Sequence, residues 1–192
     1  MKSGEWSPPF TRYNKGIRMF EQVKQSFQFY GYAVIQILIE PRRFFTELSG
    51  KTTMIRSLGF CLLCSIFFVS ASLLTGGYPN PVKMGLIFLF NSMGMVFISA
   101  GLSYMVMVMT LGRKVDFGMI FSVFAFSSGI VLLMSWMSFF FWFTEPWKWW
   151  LVYTGFKQSC NFSWKAALLN LVLTMTIQFF FLYSLYLAFY RG

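Results

Sequence analysis

The 192-residue chain has no histidine, and it has few acidic residues and cysteines: six Asp and Glu residues and three cysteines. The absence of imidazole excludes histidine general bases and histidine-ligated haem, and it removes a common zinc ligand. Cys61 and Cys64 form a C-x-x-C inside an apolar run, with Cys160 far away in sequence, so we expect apolar packing there. The sequence therefore predicts no metal site and no cofactor.

Charge is also scarce, since 11% of residues are charged and 57% are hydrophobic. Soluble domains carry about 25% charged residues. The apolar residues are concentrated in four runs, Leu58–Leu74, Met84–Leu111, Gly118–Phe143 and Trp164–Tyr190. Met84–Leu111 contains no Asp, Glu, Lys or Arg and is long enough to cross a hydrocarbon layer of about 30 Å. We predict an all-α fold, a polytopic transmembrane helical bundle.

The segment Pro146–Gln158 leaves the number of spans open at this point. At about 1.5 Å per residue it falls short of a full crossing. Periodicity alone favours an interfacial or half-buried helix here and four spans in the chain.

The net charge of +10 is uneven, because nine of the sixteen Lys and Arg residues precede Ser57. No phosphate-binding loop or nucleic-acid motif accompanies them, so we expect no nucleic-acid partner. The positive-inside rule and anionic lipid head groups explain the cluster better. We expect a cytoplasmic N-terminus without a leader, the first span acting as its own insertion signal.

Residues 1–56 are predicted to hold a tail, an amphipathic helix and an elbow, and residues 57–192 the transmembrane domain. Apolar residues recur at helical spacing from Ile17 to Val34, which indicates a helix lying in the membrane interface, or alternatively a cytoplasmic helix packed on loops. In the elbow, Arg42 and Arg43 are expected to reach lipid phosphates. Phe44 and Phe45 are expected to enter the acyl region, so these four residues form a predicted membrane-surface anchor.

Polar residues inside the apolar runs are the other candidates for function. Asn91 lies in the second run, and Asn170, Thr174 and Gln178 lie four residues apart in the last. Such groups either bond neighbouring helices or line a path for a solute. Gly94 and Gly101 form a small-residue face that predicts close helix packing or self-association.

Three stretches in order resemble the Ypt-interacting protein (Yip) domain family, together covering about 35–187. The first is acidic Glu40 followed by P-x-x-F-F-x-x-L and a short polar break. The second is the loop Gly112–Phe117 leading into Phe124–Gly129, and the third is Val152–Gln158 followed by Phe162–Leu168. The sequence departs from the family at Gly129, where a kink-forming proline is common.

This resemblance implies five membrane helices, with Pro146–Gln158 as a short fourth, and we adopt five with four as the alternative. It also implies a non-enzymatic membrane scaffold or adaptor, because eukaryotic relatives act in vesicle trafficking and bind prenylated Rab-type GTPases. Many prokaryotic relatives are inner-membrane proteins. The short N-terminal tail favours a prokaryotic member in a bacterial inner membrane, or an endomembrane location if the protein is eukaryotic.

The residues themselves argue against an enzyme, because the apolar runs contain no carboxylate pair and no serine beside a base. We expect lipid head groups and other membrane proteins as partners. A transporter or channel subunit using Asn91 and the last-run polar residues is one alternative. A small accessory subunit of a larger membrane complex is another.

Overall fold

The computed structural model describes residues 28–51, 54–112 and 115–191. Within these ranges the chain forms seven α-helices and a 3-10 turn, Ser138–Phe140, without a β-strand, which confirms the predicted all-α fold. The helices are α1 Gln28–Ile39, α2 Pro41–Lys51, α3 Met54–Gly76, α4 Pro81–Leu111, α5 Phe117–Ser135, α6 Phe141–Ser159 and α7 Trp164–Arg191. The predicted tail and most of the predicted interfacial helix fall in residues 1–27, outside the described residues.

Four helices, α3, α4, α5 and α7, are long and apolar enough to cross a membrane, as their sequence predicted. The third apolar run is shorter than expected, because α5 ends at Ser135 and the chain turns before α6 begins at Phe141. With 19 residues, α6 is about 28 Å long. Its length therefore matches a membrane helix, although Glu145, Lys148 and Lys157 lower its hydropathy.

The long helices alternate in direction. Ser57 of α3 donates a hydrogen bond to Ser122 of α5 at 2.7 Å, and the ring centroids of Phe60 and Phe126 are 4.8 Å apart. Because both contacts advance in the same direction along the two helices, α3 and α5 run parallel. The ring contact between Phe124 and Phe156 brings the first half of α5 to the end of α6. α6 therefore returns to the end of the bundle at which α3 begins, an arrangement that suits five membrane helices.

α5 is the central helix, and every residue from Ile120 to Val131 is buried. A helix that is apolar all round belongs in the middle of a bundle. Gly129 lets α3 approach closely, since a Cβ at this position would lie 2.6 Å from Phe60 Cε1 and 3.3 Å from Cys64 Sγ. The helix continues unbroken through Gly129, where the family often has proline.

α1 and α2 meet at Glu40, and both helices share the core of the long helices. The Phe44 ring lies 5.0 Å from Phe126, and the Phe45 carbonyl accepts a hydrogen bond from Ser159 at 2.6 Å. The hydrophobic core therefore continues across the boundary predicted at residue 56.

Both sides of α1 are apolar, whereas a helix that lies in the membrane interface needs only one apolar side. Ala33 and Ile37 are fully buried, while Tyr32, Ile35 and Ile39 are exposed. No charged residue occurs between Gln28 and Ile39. An apolar helix of this kind suits contact with protein on one side and with acyl chains on the other.

Candidate functional site

The predicted membrane anchor divides into two faces of α2. Arg42 and Arg43 are exposed, as an anchor needs. Phe44 and Phe45, in contrast, are 4% and 0% exposed and pack on α5 and α6. These two rings therefore fix α2 to the bundle, and the expectation that they enter the acyl region does not match their position.

The two arginines differ in their ion pairs. Arg43 contacts Glu47 at 3.0 Å and Glu40 at 3.4 Å. The hydrogen bond that Arg43 donates to Glu47, followed by the one that it donates to Glu40, raises the pKa of the Arg43 guanidinium above its ordinary value. Arg42 makes no ion pair with any residue in the described ranges. Because both carboxylates contact Arg43, Arg42 is the arginine available to an external anion.

The polar residues of α7 face α4 and form a row of side chains between the two helices. Asn170 donates to Ser103 Oγ at 2.9 Å, and Ser99 Oγ lies 3.0 Å from Gln178 Oε1 and 2.7 Å from the Met95 carbonyl. The one hydroxyl proton of Ser99 serves one of these acceptors at a time. We call Ser99, Ser103, Asn170, Thr174 and Gln178 the polar row.

Two atoms of the polar row have no partner among the described residues. Thr174 Oγ1 and Asn170 Oδ1 are both buried without a hydrogen bond. An unsatisfied buried polar atom costs about 1–3 kcal/mol. Such atoms are uncommon in native structures and are often found where water or a ligand binds.

Asn91 lies apart from the polar row, exposed on α4 and lining a cavity of about 280 Å³. The cavity lies between α3, α4, α5 and α6, and Ser99 connects it to the row. Its polar lining consists of Asn91, Ser92, Ser99, Ser128, Ser135, Glu145 and Lys148. The structure thus brings Asn170, Thr174 and Gln178 together and leaves Asn91 beside a different space.

Sequence reasoning missed the ion pair in this cavity. Lys148 Nζ lies 3.4 Å from Glu145 Oε2, and the Lys148 side chain is 15% exposed. Because the predicted helix began at Pro146, Glu145 was left out of it. The signal was the three-residue spacing of Glu145 and Lys148, which places opposite charges side by side on a helix.

The small-residue face of α4 makes no close contact with the other described residues at its two glycines. A Cβ added at Gly94 or Gly101 would meet no described atom within 4 Å. Neither glycine therefore supports a helix contact among the described residues. Self-association through this face stays a prediction.

The cysteines are buried packing residues. Cys61 and Cys64 lie on the buried side of α3, and the described residues contain no cluster of three or more potential metal ligands. Burial raises the pKa of the Cys160 thiol to about 12. Its thiolate, the reactive form, is therefore scarce at neutral pH.

Comparison with known proteins gives one family match. The family model described as Yip1 domain matches residues 35–185, which is most of the chain. No curated protein and no solved structure gives a significant match. The family match does not bear on the expectation of a prokaryotic source.

Proposed function

Because this chain belongs to the Yip1 domain family, we propose that it is a non-enzymatic scaffold or adaptor of the membrane in which it is embedded. The role proposed is membrane organisation or a trafficking-like process, through contacts with lipid and with other membrane proteins. The observation that carries the proposal is the two-faced helix α2. Its aromatic side is fixed in the core, while its polar side is presented outward on a rigid support.

The rigid placement of α2 suits recognition better than catalysis. Phe45 is held both by packing near Gly155 and by the Ser159 hydrogen bond to its carbonyl. The backbone that carries the exposed arginines therefore need not be ordered when a partner binds, which reduces the entropic cost of association. Arg42 is proposed as the main contact for phosphate or carboxylate groups, with Arg43 held beside it by Glu40 and Glu47.

The proposed orientation places the N-terminus in the cytoplasm. The start of α3, the end of α6 and the start of α7 lie at one end of the bundle and carry Arg56, Lys157 and Lys165. Phe29, near the start of α1, lies beside Arg56 at the same end, and the basic N-terminal segment precedes α1 in the sequence. Basic residues are retained on the cytoplasmic side of membrane proteins, which supports this orientation. A bacterial inner membrane, or an endomembrane in a eukaryote, is proposed as the location.

Reversing both charges, Arg42→Glu with Arg43→Glu, is expected to lower recovery of partner proteins or of membrane-inserted protein while the spans remain folded. The change would place four carboxylates within residues 40–47, because Glu40 and Glu47 are already beside Arg43. Pull-down from detergent extracts measures the partners, and membrane fractionation measures insertion. Glu40→Gln with Glu47→Gln is the control, since it keeps the arginines. Normal membrane levels with an unchanged partner set for the Arg42→Glu and Arg43→Glu variant would contradict the anchor role.

A transporter or channel subunit is the second candidate, and one observation favours it. The polar row and the cavity meet at Ser99, and the row contains two buried atoms without partners. From Ser92 to Ser103 the rise along α4 is about 16 Å, a large part of a hydrocarbon layer.

Transport by the purified protein in liposomes is expected under this second candidate, and Asn91→Leu is expected to abolish uptake or conductance. Leucine would replace the exposed amide at the cavity by an apolar group of similar size. Phe90→Leu, on the neighbouring exposed position of α4, is the matched control. Solute flux no greater than in protein-free liposomes would count against a transport role and leave the scaffold proposal in place.

A further inference from the structure

The cavity between α3, α4, α5 and α6 contains the ion pair of Glu145 and Lys148, and neither proposed function uses these charges. The contact of 3.4 Å is long for a charge-assisted hydrogen bond, which is usually about 2.7–2.9 Å. The Lys148 ammonium also lies 5.1 Å from the centroid of the Trp149 ring. The two charges are thus close together without being tightly bonded.

Both charged groups retain unused bonding capacity. An ammonium group has three donors, and in the described part of the chain Lys148 has one carboxylate partner. A carboxylate has about four acceptor positions, so Glu145 also has room for a second partner. The amide of Asn91 and the hydroxyls of Ser128 and Ser135 line the same space. The cavity therefore offers a cation, an anion and neutral hydrogen-bonding groups within about 280 Å³.

We propose that this cavity binds a compact zwitterion, with its anionic oxygens on Lys148 and its ammonium group on Glu145. A ligand of net charge would leave one protein charge without compensation, which is costly in a partly buried site. A zwitterion compensates both. This binding role depends on neither the scaffold nor the transport proposal.

The same chemistry is present in the head group of phosphatidylethanolamine and in free glycerophosphoethanolamine, because each has one phosphodiester charge and one ammonium charge. The cavity reaches the outer surface at Asn91, next to Phe90, which is 74% exposed. An acyl chain can therefore lie on α4 while its head group occupies the cavity. A free zwitterion would use the same polar contacts and leave this apolar surface to the bilayer.

The test uses the full chain purified in an uncharged detergent. Short-chain phosphatidylethanolamine, phosphatidylglycerol of the same chain length and glycerophosphoethanolamine are titrated separately. Tryptophan fluorescence reports the affinity, and native mass spectrometry reports the stoichiometry. Saturable binding of one phosphatidylethanolamine or glycerophosphoethanolamine per chain is expected, with phosphatidylglycerol weaker by about tenfold or more. Tighter binding of the lipid than of glycerophosphoethanolamine would assign the source to the bilayer, and equal binding would assign it to a free solute.

Lys148→Gln is expected to weaken binding by about tenfold or more. Lys157→Gln, on the exposed side of the same helix, is the control and is expected to leave binding unchanged. If Lys148→Gln fails to fold, Glu145→Gln serves instead, because the Glu145 side chain is 40% exposed. Equal affinity for phosphatidylethanolamine and phosphatidylglycerol, the same loss in Lys157→Gln, or no saturable binding of either zwitterion would overturn the proposal.

Discussion

Replacing Gly155 with alanine is expected to destabilise the folded bundle by about 1–3 kcal/mol, the usual effect of inserting a methyl group into a packed interior. A Cβ at Gly155 would collide with the Val123 side chain of α5 and would lie 3.3 Å from Phe45 Cε1 of α2. Val123 cannot rotate away easily, because a β-branched side chain in a helix has one strongly preferred rotamer. The substitution therefore forces α6 away from α5, or α2 away from both.

Gly101→Ala is the matched control, because a Cβ there meets no described atom within 4 Å. Alanine favours a helix over glycine by about 1 kcal/mol, so this control is expected to be neutral or slightly stabilising. The loss of monomeric protein on heating in detergent, followed by size-exclusion chromatography, compares the two variants. Equal melting temperatures for Gly155→Ala and Gly101→Ala would show that α2, α5 and α6 do not meet at this glycine.

Long apolar runs were sufficient to predict most of the membrane helices. Met84–Leu111 and Trp164–Tyr190 coincide closely with α4 and α7, because a hydrocarbon layer demands length and apolarity together. The same signal failed at the end of the third run. Aromatic residues 139–143 continue the apolar pattern, whereas the chain turns there through Ser138–Phe140. Hydropathy does not detect a turn made of apolar residues.

The position of Phe44 and Phe45 could not be read from the sequence for a related reason. Lipid and protein interior are both apolar, so an apolar helix face does not reveal which of them it contacts. Tertiary contacts decide the surroundings of these two rings. Phe44 contacts the ring of Phe126, and the absence of a side chain at Gly155 makes room for Phe45. The pattern assigned the two aromatic rings to lipid, whereas they are buried in the protein.

The polar residues show the same limit. Asn170 and Asn91 have the same side chain and both lie in apolar runs, yet Asn170 is fully buried against Ser103 and Asn91 is exposed beside the cavity. The four-residue spacing of Asn170, Thr174 and Gln178 predicted one common face. Which helix that face would meet depended on the order of helices around α5, and one sequence does not contain that information.

Phe45→Ala is expected to produce the largest loss of stability, roughly 2–4 kcal/mol. The Phe45 ring is fully buried in the position where α2 meets α5 and α6. In a soluble protein the cost of such a deletion includes the free energy of transferring the ring from water to the core. In a membrane this transfer term is small, because lipid also dissolves the ring. The remaining cost is the cavity and its missing contacts, which places the estimate below that for the most severe soluble cases.

Phe90→Ala separates a structural role for Phe45 from a lipid-anchoring one. The Phe90 ring is 74% exposed on α4, so its removal leaves no internal cavity. The melting temperature of Phe90→Ala is therefore expected to match that of the unmodified protein. If Phe45 acted by entering the acyl region, Phe45→Ala would behave like Phe90→Ala in detergent and would differ only in membrane association. A large loss of thermal stability in detergent, confined to Phe45→Ala, is expected because the ring supports the helix that presents Arg42 and Arg43.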